Sequence, residues 1–408
     1  MSISRRAFGA TLAGLATGNQ KAWGWSVGTD RVNETLRSGI RKRGIPAAVA
    51  MAATANQTLY QGAFGKRDDS GVPVTVDSIF GIMSMTKAIT SVAAMQLVEQ
   101  GRLNLEDPAS KYLPQLADLK VLDGFDGSGK AKLRPATVPV TIKHLLTHTS
   151  GFCYDAWDGD MFRYTSQLDP KAPRETVTPL MFEPGTRWQY GTSVDWLGRV
   201  VEALSGMNLE EYFQAKVLRP LGMRDTSYIL PASKFERLVA HYQRAGGGAL
   251  KQDARMQSGT PKQFIGGGGL YSTVGDYTRF MQMILGKGSA ANKVQILRPE
   301  TVASMAVNQI GDLTAGKMKS YRSGVSSDVD MQPGATEKWG LGFLINTSPY
   351  EGGRSAGSLA WAGAFNTFYW IDLRRSLCAV LMMQFFPFVD REAMGLLQDF
   401  ERSIYQIR

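Results

Sequence analysis

Apolar residues fall into short runs at the two ends of the chain and into longer, helically spaced stretches in its middle. Near the start, a polar-flanked helix from about Thr29 to Arg43 leads into Ala47-Ala48-Val49-Ala50-Met51-Ala52-Ala53, the polar pair Asn56-Gln57, and Thr58-Leu59-Tyr60-Gln61-Gly62-Ala63-Phe64. Two apolar runs about a short polar turn predict a β-hairpin. Toward the end, 340–346, 358–361, 367–372 and 377–384 are short apolar runs split by turn residues, and 390–405 closes as a helix. One sheet assembled from both ends of the chain is the consequence. Between them, Met85 to Gln100, Thr141 to Leu146, Ser193 to Ser205 and Leu209 to Val217 carry helical spacing, separated by Pro- and Gly-marked loops. The pattern predicts a discontinuous α/β body (27–83 and 231–408) with a mostly helical region (84–230) inserted. The join between two such parts is a common place for a ligand pocket.

Composition narrows the classes. Of the 408 residues 43% are apolar and 20% charged, which is ordinary for a folded globular protein. The net charge of +10 could suit a polyanion, but the basic runs Arg41-Lys42-Arg43 and Lys130 to Arg134 are short and carry no interleaved aromatic residues. They read as solvated faces, so no nucleic-acid partner is expected. No apolar run approaches the ~20 residues of a membrane span. The two cysteines, Cys153 and Cys378, and three histidines, His144, His148 and His241, form no disulfide framework and no zinc-ligand spacing, so no metal or cofactor is expected. The glycine runs 246–248 and 266–269 lack a following Lys-Ser or Lys-Thr and read as close-approach loops, not phosphate cradles.

Residues 1–26 stand apart. Ser4-Arg5-Arg6-Ala7-Phe8 resembles the twin-arginine export pattern, and the mildly apolar Gly9 to Gly18 follows it. A periplasmic or secreted location follows from this pattern, with a frayed cytoplasmic N-terminus as the alternative. Oligomeric state leaves no mark in the sequence.

The G-x-S-x-G elbow of many hydrolases occurs twice, at Gly24 to Gly28 and Gly353 to Gly357. Neither sits between a strand and a following helix, and both read as chance matches. A better candidate is Phe80-Gly81-Ile82-Met83-Ser84-Met85-Thr86-Lys87, which leads from a short strand into the longest apolar helix, stopped by Gly101. Ser84 falls at the helix N-terminus, where unpaired N–H groups and the helix dipole favour a developing oxyanion. Lys87, three residues on, shares its helix face and can reach the Ser84 hydroxyl. The apolar neighbours Met85, Ala88, Ile89 and Val92 favour a neutral amine, as a base requires. Taken alone, S-x-x-K also fits a capping serine followed by a surface lysine.

Three blocks in order settle the choice: Ser84-Met85-Thr86-Lys87, Leu145-Leu146-Thr147-His148-Thr149-Ser150-Gly151, and Phe182-Glu183-Pro184-Gly185-Thr186-Arg187-Trp188-Gln189-Tyr190. With Leu218 to Met223, Gly266 to Asp276 and Trp361-Ala362-Gly363, the chain from about Ile45 onward resembles the serine β-lactamase-related family, class C-like, and within it the family VIII carboxylesterases. The resemblance implies a β-lactamase/penicillin-binding-protein-like α/β fold, an antiparallel sheet flanked by helices with an inserted helical subdomain. It implies Ser84 as nucleophile, with Lys87 and Tyr190 moving the proton, and the N–H groups of Ser84 and Ala364 as the oxyanion hole. It also implies substrate contacts at Trp361, Gly363 and Thr192. Where the lactamases carry Lys-Thr-Gly this chain has Trp361-Ala362-Gly363, and Thr192 replaces the Asn of Tyr-x-Asn. An indole cannot replace the lysine charge that pairs with a substrate carboxylate, so the resemblance implies neutral, small-molecule esters.

The leading expectation is a carboxylesterase working through an acyl-enzyme. A β-lactamase or D-amino-acid peptidase, an acyltransferase, and a non-catalytic binding protein on the same scaffold are the alternatives.

Overall fold

Strands from the two ends of the chain meet in one antiparallel sheet. The computed structural model describes residues 19–169, 177–244, 248–253, 261 and 263–407. Its seven main strands are β1 (Ala47–Ala53), β2 (Thr58–Gly65), β3 (Glu337–Trp339), β4 (Leu344–Asn346), β5 (Leu359–Gly363), β6 (Thr367–Asp372) and β7 (Leu377–Met382). They are ordered β2-β1-β7-β6-β5-β4-β3. β1 lies antiparallel to β7, with Met51 opposite Val380. All of β1, β6 and β7 is buried, which explains their unbroken apolar runs.

Helices cover both faces. Successive strand residues point to opposite sides. Tyr369 packs on Tyr277, and its neighbour Trp370 packs on Phe400. α1 (Asn19–Arg43) and the C-terminal helix (Arg391–Tyr405) pack together, the latter on the Trp370 side. The helix Val274–Leu285 lies on the Tyr369 side. The middle of the chain supplies α2 (Thr86–Glu99), α3 (Ile142–Thr147), α4 (Gly159–Thr165), α5 (Ser193–Ser205) and α6 (Leu209–Phe213). α2 is buried through most of its length and packs on α5, so its apolar residues fill the centre of the molecule. Among the described residues no helix is long and apolar enough to cross a membrane.

Several expected boundaries move. The helix expected from Met85 opens two residues earlier as a 3₁₀ turn, Met83–Met85, before α2. The run expected to Val217 is helical only to Phe213, then widens into a π turn over Gln214–Leu218. In 340–346 the glycines form a turn, Gly340 N–H donating to Phe343 O at 2.8 Å, so the strand begins at Leu344 and pairs with the unforeseen β3. α4, Val274–Leu285, Pro299–Met305 and the hairpin Lys120–Phe125/Ala131–Pro135 were not expected either. The export pattern at residues 4–18 and most of the 246–248 glycine run lie outside the described residues.

Both G-x-S-x-G matches are structural. The first lies inside α1. The second is a loop clamped to the C-terminal helix, where buried Arg354 pairs with buried Glu401 at 2.6 Å and Ser355 N–H donates to Asp372 at 2.8 Å.

Glu337 on β3 is 3% exposed, and one carboxylate oxygen has no hydrogen-bond partner among the described residues. Burial pushes its carboxyl up from 4.5 to about 7. A raised folded value gives stability that is complete below pH 4.5 and lost as pH rises through about 7, a swing of about 3 kcal/mol. Urea unfolding at pH 5 and pH 8 is expected to show this loss, and Glu337→Gln to flatten the slope.

Candidate active site

The site grows from the start of α2. The short strand Phe80–Gly81 pairs with Tyr271–Ser272, and the chain then turns through Met83, whose φ of +46° is left-handed. That conformation disfavours a side-chain-bearing residue, so the turn is held by its surroundings. Ser84 follows inside the 3₁₀ turn, part-exposed, with its N–H among the first, unpaired donors of the helical segment.

Lys87 is 1% exposed yet is not surrounded by apolar atoms alone, as the sequence suggested. Its Nζ donates to Ser84 Oγ (3.3 Å), Tyr154 Oη (3.3 Å) and Gly267 O (2.7 Å). Asp195, in the first turn of α5, accepts from Gly267 N–H at 2.6 Å. Burial raises the Asp195 carboxyl while the nearby Lys87 charge pulls it down. The Gly267 peptide therefore bridges carboxylate and amine. A Cβ on Gly267 would collide with Asp195 Oδ1 and lie 3.1 Å from Lys87 Nζ, and one on Gly266 would collide with Val194 O. The 266–269 run is a close-approach loop between α2 and α5.

Tyr190 lies beside the amine ring-on: Lys87 Nζ is 4.7 Å from its ring centroid. Its oxygen accepts from Trp361 Nε1 at 3.2 Å. The phenol that meets Lys87 by a hydrogen bond is Tyr154, which the sequence reading missed. Burial, then Asp195 and Tyr190, push the Tyr154 phenol well above its ordinary range. Its hydroxyl accepts from Lys87 and, staying protonated, can donate in turn.

Trp361, expected as a substrate contact, is 4% exposed, packs on Tyr190 and Trp339, and has its N–H committed to Tyr190. In this structure it positions the phenol. Gly363 ends β5 against the nucleophile turn, where a Cβ would collide with Ile82 O. The next residue, Ala364, is part-exposed, and no described residue accepts its N–H. This places a second free donor beside the Ser84 turn, as an oxyanion hole needs. Thr192 is the N-cap residue of α5, half-buried, three residues before Asp195.

His144 and His148 serve the fold. His144 closes a capping box with Thr141 at the start of α3, and His148 ends that helix with a left-handed φ of +56°. His148 is buried among Trp188, Tyr190 and Trp339, and burial holds it well below its usual range, neutral.

The two phenols should separate in their effects. Tyr190→Phe is expected to lower kcat for a short-chain ester about 10²–10³-fold, the size of a lost proton-transfer group. Tyr154→Phe, which removes only a hydrogen bond to Lys87, is expected to cost about tenfold. Steady-state kinetics on the two variants checks the order.

The beta-lactamase family model matches residues 32–401. The chain is similar to the lovastatin esterase of Penicillium rubens, 30% identical over 398 residues that cover 92% of this chain and 98% of the relative. It is likewise similar to the monacolin J acid methylbutanoyltransferase of Aspergillus terreus, 29% identical over 392 residues, covering 91% and 94%. Among solved structures, a mutant of simvastatin synthase (LovD) from Aspergillus terreus superposes with a TM-score of 0.82 at 27% identity, covering 96% of this chain and 99% of that one.

Proposed function

This chain belongs to the beta-lactamase family, and from that premise we propose that it is a serine enzyme that cleaves neutral carboxylic esters through an acyl group carried on Ser84. The observation that carries the reading is the Lys87 amine, held by Gly267 and Tyr154 with its hydrogen bond on Ser84 Oγ. Ser84 Oγ attacks the carbonyl carbon as its proton passes to the Lys87–Tyr190 pair beside it. The carbonyl oxygen becomes an oxyanion facing the N–H groups of Ser84 and Ala364. The bond to the alcohol oxygen then breaks, and that oxygen takes a proton from Tyr190 or Lys87. Attack by water on the Ser84 ester releases the acid and restores the hydroxyl.

An alcohol in place of water gives an acyltransferase. One relative is an esterase and another a methylbutanoyltransferase, and both chemistries use the same acyl-enzyme. In this reading the chain is a carboxylesterase of the family VIII type that passes part of its acyl groups to alcohols. The Ser4 to Phe8 pattern supports export to the periplasm, to be tested by fractionating cells that carry Arg5→Lys/Arg6→Lys.

Turnover of p-nitrophenyl butanoate, with and without a short alcohol, tests the enzyme reading. Nitrophenol release with the acyl group divided between free acid and new ester supports it. A folded wild type that releases no nitrophenol would contradict it, and faster opening of a chromogenic cephalosporin than of the ester would favour the lactamase alternative.

A further inference from the structure

The two phenols beside Lys87 share a third aromatic neighbour. Trp157 is 8% exposed, and its ring stands edge-on to Tyr190 (centroids 5.4 Å apart) and to Tyr154 (5.8 Å). Lys87 Nζ lies 4.7 Å from the Tyr190 centroid and 5.4 Å from the Tyr154 centroid. Hydrogen bonds tie Trp157 to both segments: its N–H donates to Tyr154 O at 3.2 Å, and Gln189, which precedes Tyr190, donates its side-chain amide to Trp157 O at 2.9 Å. Whatever fixes this indole therefore fixes the spacing of the phenols about the amine.

The indole is fixed from far along the chain. Trp157 Nε1 donates to Ser326 Oγ at 3.0 Å, and Ser326 is fully buried. Ser326 belongs to the loop 318–329, whose ends pair through Met318 N–H to Val329 O (3.0 Å) and Val329 N–H to Met318 O (2.7 Å). One side of the loop is fastened to Phe388, by Ser327 N–H to Phe388 O (2.9 Å) and Phe388 N–H to Val325 O (2.8 Å). The other side is fastened to the Trp157 segment, by Tyr321 N–H to Ala156 O (2.8 Å) and Arg322 Nη2 to Asp155 Oδ2 (2.6 Å). The Tyr321 ring also closes on Gly159, where a Cβ would collide with it. The loop is a strap that holds residues 155–159 in place.

Removing the Ser326 hydroxyl strands a buried donor, which favours any tilt of the indole that finds another partner. A tilted indole moves the phenols packed on it, and a displacement of about 1 Å at reacting atoms costs about 10²-fold. Resting on the ester-cleaving reading above, we propose that Trp157 and Ser326 are positioning residues, and that the 318–329 strap acts through their hydrogen bond to align the Tyr190 phenol for proton delivery to the leaving alcohol. Both act through Tyr190, and neither moves a proton itself.

The test varies only the leaving group. Nitrophenolate is a stable anion that departs without a proton, whereas phenolate is a poorer leaving group that gains from one. kcat/KM for p-nitrophenyl butanoate and phenyl butanoate is measured in wild type, Ser326→Ala, Trp157→Phe, the double variant and Arg322→Gln, each checked for folding by circular dichroism. The Arg322 side chain is 43% exposed, so its variant loosens the strap from outside and decides the matter even where a buried substitution fails to fold. Ser326→Ala and Trp157→Phe are each expected to lower kcat/KM about tenfold for the phenyl ester and no more than about threefold for the nitrophenyl ester. Arg322→Gln is expected to shift the ratio of the two esters about twofold in the same direction. The double variant is expected to fall no more than about twofold below Trp157→Phe, because the two substitutions remove one bond. An unchanged ester ratio in the folded variants, whether or not the rates fall together, overturns the positioning role, as does full additivity in the double variant. A wild type that cleaves the nitrophenyl ester alone has no acid to align and overturns the role while ester cleavage stands. A wild type that cleaves neither ester overturns the parent reading and this role with it.

Discussion

Lys87→Met is expected to lower kcat/KM for p-nitrophenyl butanoate by about 10³–10⁴ while the protein stays folded. Methionine keeps most of the length and apolar volume of the stem but removes the nitrogen. Ser84 then loses the partner 3.3 Å from its Oγ, and a serine hydroxyl without a base is a weak nucleophile. Gly267 O, which accepts from Nζ at 2.7 Å, loses its donor, at a cost of about 1–3 kcal/mol in stability. A urea unfolding curve reads that loss separately from rate. Lys87→Arg distinguishes a base from a mere positive charge: a guanidinium stays protonated, so arginine is expected to restore no more than about tenfold of the lost rate. Recovery to near wild type in the arginine variant would mean that Lys87 acts through its charge alone.

Gly267→Ala carries the second large effect, a loss of about 10²-fold in kcat with little change in KM. The backbone at Gly267 is not left-handed, so alanine is not barred by conformation; only space is at issue. Its Cβ would collide with Asp195 Oδ1 and crowd Lys87 Nζ at 3.1 Å. The loop must withdraw, taking with it the carbonyl that aims the amine, and a displacement of about 1 Å near reacting atoms costs about 10²-fold. Asp195→Asn keeps the volume and removes the charge. If Gly267→Ala and Asp195→Asn both leave kcat within about threefold of wild type, the bridge from Asp195 through Gly267 to Lys87 has no part in catalysis.

The sequence made the frame readable and left the wiring dark. β1, β6 and β7 are buried throughout, and β1 and β2 flank a short polar turn, so composition alone marks them. α5 was legible because its apolar stripe is regular and Gly206 stops it with a left-handed φ. By contrast β3 is three residues long and bears Glu and Lys, so nothing local marks it as a strand; it exists because Glu337 to Trp339 pair with β4. Ser84 and Lys87 were legible because one helical turn fixes their spacing. Tyr154 and Asp195 come to Lys87 from 67 and 108 positions away, and no local pattern reports a tertiary meeting. The missed signals were modest: a tyrosine three residues beyond the Thr-Ser-Gly of the second block, and a carboxylate in the first turn of α5. The role expected of Trp361 changed for a similar reason, since its donor finds Tyr190 only once β5 and the helical region are packed together.

The central claim is that the acyl group rides on Ser84. The most direct test is to mix the protein with p-nitrophenyl butanoate, quench in acid within milliseconds, digest, and locate any butanoyl adduct by mass spectrometry, with Ser84→Ala treated in parallel. The account predicts one butanoyl group on the peptide carrying Ser84, formed in the same phase as a burst of nitrophenol and absent from Ser84→Ala. An adduct on Ser26 or Ser355, or one that persists in Ser84→Ala, would contradict it.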